Sequence, residues 1–249
     1  MQIANPIYDT VFKFMMSDNK IAKTFLSAII DEKIIELDFA STERTLKTGV
    51  DKSQLDRTLE QIVICHLNFV AKIQKENGEF KTVIIVLQKE KIETDIFYLR
   101  HYLGEINIDI DNISDTCREN IEKSYRIYLL NYDIGYADSS ILVVESFIRD
   151  QATNEVLDIT NDEFIKSLTY KSWYVQLKQL KEKGKNDLEN LLSIFYQGDV
   201  PNFQHVLNIN PENFSKEHKD ILNRLQEAYA SSQIRAEMQM EDDYLKKLL

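Results

Sequence analysis

The sequence predicts an α/β fold, a mixed β-sheet with a crossover helix, followed by a helical C-terminal region. Three observations predict it. The stretch from Asn68 to Lys91, "NFVAKIQKENGEFKTVIIVLQKEK", reads as two antiparallel strands, because β-branched and aromatic residues flank Asn77-Gly78, the pair that suits a type I′ hairpin turn. The next segment, "KEKIETDIFYLRHYLGEI", carries Ile92, Ile96, Leu99 and Leu103 at helix period, so it returns over the sheet as a crossover. From about Asp162 to the end the pattern is helical. Residues 1–160 are therefore read as an α/β unit and 161–249 as a helical region packed on it, since no repeat, low-complexity tract or flexible linker separates them. The whole chain has six Gly and three Pro, which suits a compact body.

The elements follow in order. Asn5 and Pro6 form a cap and first-turn pair, opening a helix through "IYDTVFKFMM" with Asp9 and Lys13 on one face. A second helix follows from about Asp18, "NKIAKTFLSAII", and ends at the charged turn Asp31-Glu32-Lys33, before the strand "IIELDFA". After a polar loop come "QIVICHLNFVAKI", the hairpin turn and "FKTVIIVLQ". "YRIYLLNYDI" and "SSILVVESFI" are further strands, and "RDQATNEVLDI" folds back as a hairpin turning at Asn154. The last segment, "KEHKDILNRLQEAYASSQIRAEMQMEDDYLKKLL", breaks at Ser231 and Ser232.

Composition narrows the function classes. The 249 residues are 43% hydrophobic and 29% charged, a soluble globular balance with no run near the ~20 apolar residues that cross a bilayer. "MQIANPIYDT" lacks the basic and apolar regions of a secretory signal, so a cytoplasmic location is expected, with no membrane partner. Cys65 and Cys117 lie far apart with no other ligand at metal spacing, and read as reduced thiols. The net charge of −11 argues against a general nucleic-acid coat, so any DNA contact needs segregated positive charge. Between Lys166 and Lys185, six lysines face one acid, Glu182, and Lys178, Lys181 and Lys185 fall on one side of the expected helix. That side is either a phosphate-binding face or a solvated one whose Leu177 and Leu180 turn to the core. Trp173, Tyr170 and Tyr174 beside it read as core, with base stacking the alternative.

The hairpin sets the chemistry. Its turn lies midway between positions 68 and 86, so an antiparallel pairing brings those residues together, with Val86 and Gln88 on one face and Leu87 on the other. Two carboxylates and a lysine converging there would hold Mg²⁺ and activate water against a phosphodiester. The stretches "NPIYDTVFKFMMSDNKIAKTFLSAII", "LNFVAKI", "FKTVIIVLQKEK", "TDIFYLRHYLGE" and "LQEAYASSQIRAEMQMEDDYLKKL" carry a resemblance over nearly the whole chain. It resembles the PD-(D/E)XK nuclease family transposases, akin to the recombination-promoting nucleases. The resemblance implies a restriction-endonuclease-like αβββαβ core that cuts DNA with Mg²⁺, then a helical C-terminal region. It also implies Asp at position 68, Glu at 86, Gln or Lys at 88 and a basic residue at 89. Here those positions hold Asn68, Val86, Gln88 and Lys89, so both metal-binding carboxylates are replaced.

Asn is a weak neutral ligand and Val has no lone pair, so no cofactor is expected, although active relatives use Mg²⁺. Asp9 and Asp95 are supporting polar candidates, joined by Arg100 and Glu105, and if a metal binds at all, Asp95 and Glu90 are its carriers; Glu93 opens the crossover helix beside them. Glu79-Phe80-Lys81 spells E-x-K but lies beside the turn, at the far end of the strand from position 68. "DIDNISD" (109–115) fails as a calcium loop because Ser114 stands where Gly is required. His66, His101, His205 and His218 accompany no nucleophile motif, and each reads as an ordinary core or surface residue. Two functions remain: a catalytically impaired homologue acting in DNA binding or regulation of recombination, and a Mg²⁺-dependent endonuclease using relocated acids. A stripe of Ile234, Met238 and Leu245 on the C-terminal helix is the candidate surface for a protein partner or homo-oligomer.

Overall fold

A computed structural model describes residues 1–40, 64–90, 121–132, 134–135, 139–157, 162, 165, 169–180, 186–196 and 204–248 of the chain. The chain starts with a short strand, β1 (Gln2–Ala4), and two helices, α1 (Asp9–Met16) and α2 (Asn19–Ile30). Three strands follow, β2 (Lys33–Ala40), β3 (Ile64–Gln74) and β4 (Phe80–Glu90), each antiparallel to the last. β5 (Ile121–Leu130) then runs parallel to β4. The crossover helix expected from residue 89 to 106 lies outside the described residues, except that Lys89 and Glu90 are the last residues of β4.

β6 (Ile141–Glu145), β7 (Ile148–Arg149), β8 (Val156–Leu157) and β9 (Tyr170–Gln176) come next. The main sheet has six strands in the order β2-β3-β4-β5-β9-β6. β7 and β8 form the expected small hairpin, with Asn154 at φ 64 in its turn. The C-terminal part adds α3 (Asp187–Leu192), β10 (Val206–Asn208), which pairs with β1, and two longer helices, α4 (Lys216–Ala230) and α5 (Ser232–Leu248). No helix among the described residues is long and apolar enough to cross a membrane.

Alternation along the strands decides where the core sits. Cys65, Leu67, Phe69, Ala71 and Ile73 of β3 point to one face with Val83, Ile85 and Leu87 of β4 and Tyr125, Ile127 and Leu129 of β5. The helices cover that face. Val11, Phe12 and Met15 of α1, Phe25 and Leu26 of α2, Leu222 and Leu225 of α4 and Met238 of α5 join one continuous cluster with it. Asp18 caps α2, accepting from the backbone N–H groups of Lys20 and Ile21, and Asp31, in the left-handed region at φ 54, ends it. Ser231 separates α4 from α5 where the sequence placed a break.

Four expectations are corrected. Asn5 does not cap α1: its Oδ1 accepts from Ile7 N at 3.1 Å, its Nδ2 donates to the carbonyl of Gln204 at 2.7 Å, and the helix starts at Asp9. The β3–β4 turn is not type I′, because the positive φ falls on Gly78 (85°) and not on Asn77. Gly78 N donates to Lys75 O at 3.0 Å and Lys75 N to Glu79 O at 2.7 Å, a three-residue loop with glycine at the bulge. The segment after Asp162 is not helical throughout: Tyr170–Gln176 is a strand held between β5 and β6, whose β-branched and aromatic residues satisfy a sheet better than a helix surface. It is followed by a 3₁₀ turn, Leu177–Leu180. Lys178 therefore sits in that turn and not on a long helix face, while Leu177 and Leu180 do go into the core. Finally, the stripe of Ile234, Met238 and Leu245 is buried inside the chain.

Candidate functional site

The hairpin register settles which candidate residues meet. Asn68 lies directly across from Val86, His66 from Gln88 and Cys65 from Lys89. Odd and even positions of β3 therefore belong to opposite faces. Asn68, Val86 and Gln88 share the face away from the helices; Lys89 points to the helix-covered one.

On the first of these faces, β5 and β9 continue the row. Val86 is aligned with Arg126 and Gln88 with Tyr128, and these in turn with Ser172 and Tyr174. This surface is polar yet closed: Gln88, Ser124, Arg126 and Ser172 are all buried. The Arg126 guanidinium lies 4.6 Å from the centre of the Tyr170 ring, and Tyr128 stacks on Tyr174 with centroids 4.8 Å apart. Burial raises the Tyr128 hydroxyl, with Tyr174 beside it acting in the same sense, so it stays protonated. Burial also drives His66 from its usual range down to about 3, against the pull of Asp9, and the ring is neutral at ordinary pH.

The helix-covered face gathers the remaining candidates. Lys89, fully buried, donates to the Ile7 carbonyl at 2.5 Å with its ammonium 5.4 Å from the centre of the Phe12 ring. Asp9 pairs with Lys13 at 2.6 Å. Cys65 lies among them; burial, with the Asp9 charge added, pushes its thiol well above the ordinary range, so it carries no thiolate. Asp9 and Lys89 thus come together around Cys65, on the side of the sheet opposite Asn68 and Val86.

The start of α1 is closed from the far end of the sequence. Glu241 of α5 accepts from Asp9 N at 3.1 Å and Thr10 N at 3.0 Å, Glu237 accepts from the Thr10 hydroxyl, and Asp242 accepts from the Tyr8 hydroxyl at 2.8 Å and lies 2.7 Å from His205 Nε2. A carboxylate placed on free helix N–H groups supplies the cap that Tyr8 lacks. The sequence reading missed this cluster because Tyr8, Asp9 and Thr10 lie more than two hundred residues from the Glu237, Glu241 and Asp242 carboxylates that meet them. It also passed over Arg126, although a lone Arg inside the apolar strand "YRIYLL" was a visible signal.

A Mg²⁺ ion does not fit the donors at the hairpin. Asn68 brings one neutral oxygen, Val86 none, and the strand beside Val86 carries a guanidinium. Among the described residues no cluster of three His, Cys, Asp or Glu side chains could hold a metal. Asp95, Glu93, Arg100, Glu105, His101, Cys117, Lys181, Lys185 and the 109–115 acidic loop lie outside the described residues, as does the side chain of Glu90. Glu79 of the E-x-K triplet accepts from Asn77 Nδ2 in the turn, and Lys81 pairs with Glu32, so neither reaches position 68. Trp173 is core, 5.0 Å from Tyr125, whereas Tyr170 and Tyr174 lie on the polar face.

No family model, curated protein or solved structure matches the chain. Its sheet, its paired hairpin positions and its polar face stand on their own geometry.

Proposed function

We propose that the chain is a catalytically impaired relative of the PD-(D/E)XK nuclease family transposases, which binds DNA, or regulates its recombination, without cutting it. The observation that carries this reading is the pairing of Asn68 with Val86 on an antiparallel three-strand meander that is followed by a parallel strand. The resemblance in sequence expects its two metal-binding carboxylates at those two positions. A helix pair before the meander agrees with the same core.

The residues present suit binding better than hydrolysis. A water nucleophile needs a metal or a base to lower its pKa, and here the neighbours of Val86 are a neutral amide and a guanidinium. Gln88 is buried beside them and brings no negative charge. The basic run that includes Lys178, Lys181 and Lys185 supplies the segregated positive charge that a chain of net charge −11 needs to approach DNA.

The test is a plasmid-nicking assay run beside a gel-shift assay. No nicking is expected in Mg²⁺ or Mn²⁺. A low-salt shift is expected that weakens with salt, with a log–log slope of about −0.9 per phosphate contact. The triple change of Lys178, Lys181 and Lys185 to Glu should remove the shift and flatten that slope. Metal-dependent nicking that disappears in Asp95→Ala or Glu90→Ala would overturn the impaired reading in favour of relocated acids. Absence of any shift at the lowest salt would overturn DNA binding.

A further inference from the structure

The sheet edge at β2 borders a cavity under the corner where α1 gives way to α2. Alternation puts Leu37 and Phe39 of β2 and Leu67 and Phe69 of β3 on the helix-covered face, with Phe39 directly across from Phe69. The chain turns above them, from the end of α1 at Met16 to the Asp18 cap of α2, and a space of about 370 Å³ remains between that corner and the strands. Met16, Leu37, Leu67 and Phe69 are buried around it. Phe39 meets the Phe69 ring edge-to-face, with centroids 5.3 Å apart, yet stays 49% exposed. An open phenyl ring beside a concave apolar floor is a surface on which a flat ring can stack.

Three polar side chains line the same cavity, Lys13, Ser17 and Asn19. Ser17 is already engaged, because its Oγ donates to the Phe14 carbonyl at 2.8 Å and accepts from Arg224 Nη2 at 3.3 Å. Asn19 is engaged on one side. Its Nδ2 donates to the Leu37 carbonyl, which turns Oδ1 the other way, and that oxygen accepts no hydrogen bond among the described residues. The Lys13 ammonium pairs with Asp9 at 2.6 Å, which balances its charge and leaves N–H groups over.

This lining suits a ligand that is flat and uncharged, with an N–H for Asn19 and a carbonyl for Lys13. An anion would compete with Asp9 for Lys13, a cation would be repelled by Lys13, and an aliphatic chain would use neither polar group. We infer that the cavity holds a nucleobase, a planar neutral ring system whose pairing edge sets N–H beside C=O. Unpaired bases are held in this way, stacked on an aromatic side chain and hydrogen-bonded along that edge. The inference goes beyond the DNA-binding reading and does not depend on it. A free nucleoside and a base unstacked from a strand present the same chemistry to the cavity.

Saturation-transfer NMR of the full chain with thymidine tests this, and a Kd of the order of 1 mM is expected for a ligand of so few atoms. 3-Methylthymidine, whose ring N–H is blocked, should bind about fivefold more weakly, the size of one lost hydrogen bond. Phe39→Ala should weaken thymidine about tenfold through lost stacking. Met240→Ser, at an exposed site of α5, should leave binding unchanged. Where Phe39→Ala fails to fold by circular dichroism, the two nucleosides on the parent chain decide. A short single-stranded thymidine oligonucleotide that binds more tightly than thymidine identifies a strand as the source of the base; equal or weaker binding identifies a free nucleoside. The inference is overturned by absence of transfer to thymidine at millimolar concentration, by equal binding of the two nucleosides, or by a folded Phe39→Ala that binds like the parent. Thymidine binding without a duplex gel shift would sink the DNA-binding reading alone, and a duplex shift without thymidine binding would sink this one alone.

Discussion

His66 stands across from Gln88, in a place where its ring cannot take a proton until about pH 3. An unfolded histidine takes one near 6.5, so below that pH the unfolded chain binds more protons than the folded one. Stability is therefore full above about pH 6.5 and falls as pH drops towards 3, by up to ~1.4 kcal/mol per pH unit from this group. His218, whose pKa is also lowered by burial, acts in the same direction. Urea midpoints measured from pH 4 to 7 should rise with pH, and the slope should be shallower in His66→Asn. The same face governs any attempt to build a metal site at positions 68 and 86. A carboxylate introduced by Val86→Glu lies beside Arg126 and will pair with it. The double change Asn68→Asp with Val86→Glu should then gain little thermal stability from Mg²⁺. Adding Arg126→Gln frees both carboxylates, whose mutual repulsion lowers the metal-free melting temperature while Mg²⁺ restores it. Equal melting temperatures with and without Mg²⁺ in the triple variant would count against this placement of the cleft.

At the level of single elements, α1 and the β3–β4 turn are the informative cases. α1 is eight residues long, too short to persist alone, and its N-terminal N–H groups are met by Glu241 rather than by a local cap. Glu241→Ala should cost roughly 1–2 kcal/mol, the range of a lost cap, and Glu241→Gln less, because the amide oxygen still accepts while the charge at the helix start is gone. Denaturant titration of the two variants against the parent measures the difference. In the turn, Gly78 has φ +85 and open space around a Cβ, so crowding plays no part there. Gly78→Ala should still destabilise by about 1 kcal/mol through backbone strain alone, and Gly78→Asn by less, since Asn tolerates the left-handed region.

Across the whole molecule, the C-terminal helices are part of the core and not an appendage. Ile234, Met238 and Leu245 of α5 are buried, and each such side chain contributes about 1.5–3 kcal/mol on leaving water. Their sum is comparable to the 5–15 kcal/mol that holds a typical domain together. Truncation after Ser231 should therefore abolish cooperative unfolding, followed by circular dichroism on heating, instead of releasing a folded α/β unit. A truncated chain that melts as sharply as the parent would contradict the packing described for α5. β9 makes the same point from the other direction: a strand drawn from beyond residue 160 sits between β5 and β6, so the sheet is completed by both parts of the chain.

What could be read in advance was local. The hydrophobic alternation of β3 and β4, the place of the Asn77-Gly78 turn between them, the start of α2 near Asp18, the Asn154 turn and the break at Ser231 depend on neighbours in sequence, and each carries its own residue signal. The pairing of Asn68 with Val86 followed from counting outwards from the turn. Tertiary structure decided the rest. "YKSWYVQLKQL" satisfies a helical charge pattern and a strand pattern about equally, and only the vacancy between β5 and β6 makes it a strand. The apolar stripe of α5 looks the same from sequence whether it meets a partner or its own core. Glu241 and Arg126 gain their roles solely from residues that folding brings beside them, because a hydrogen bond or a desolvated charge depends on distances in space that spacing along the chain does not encode.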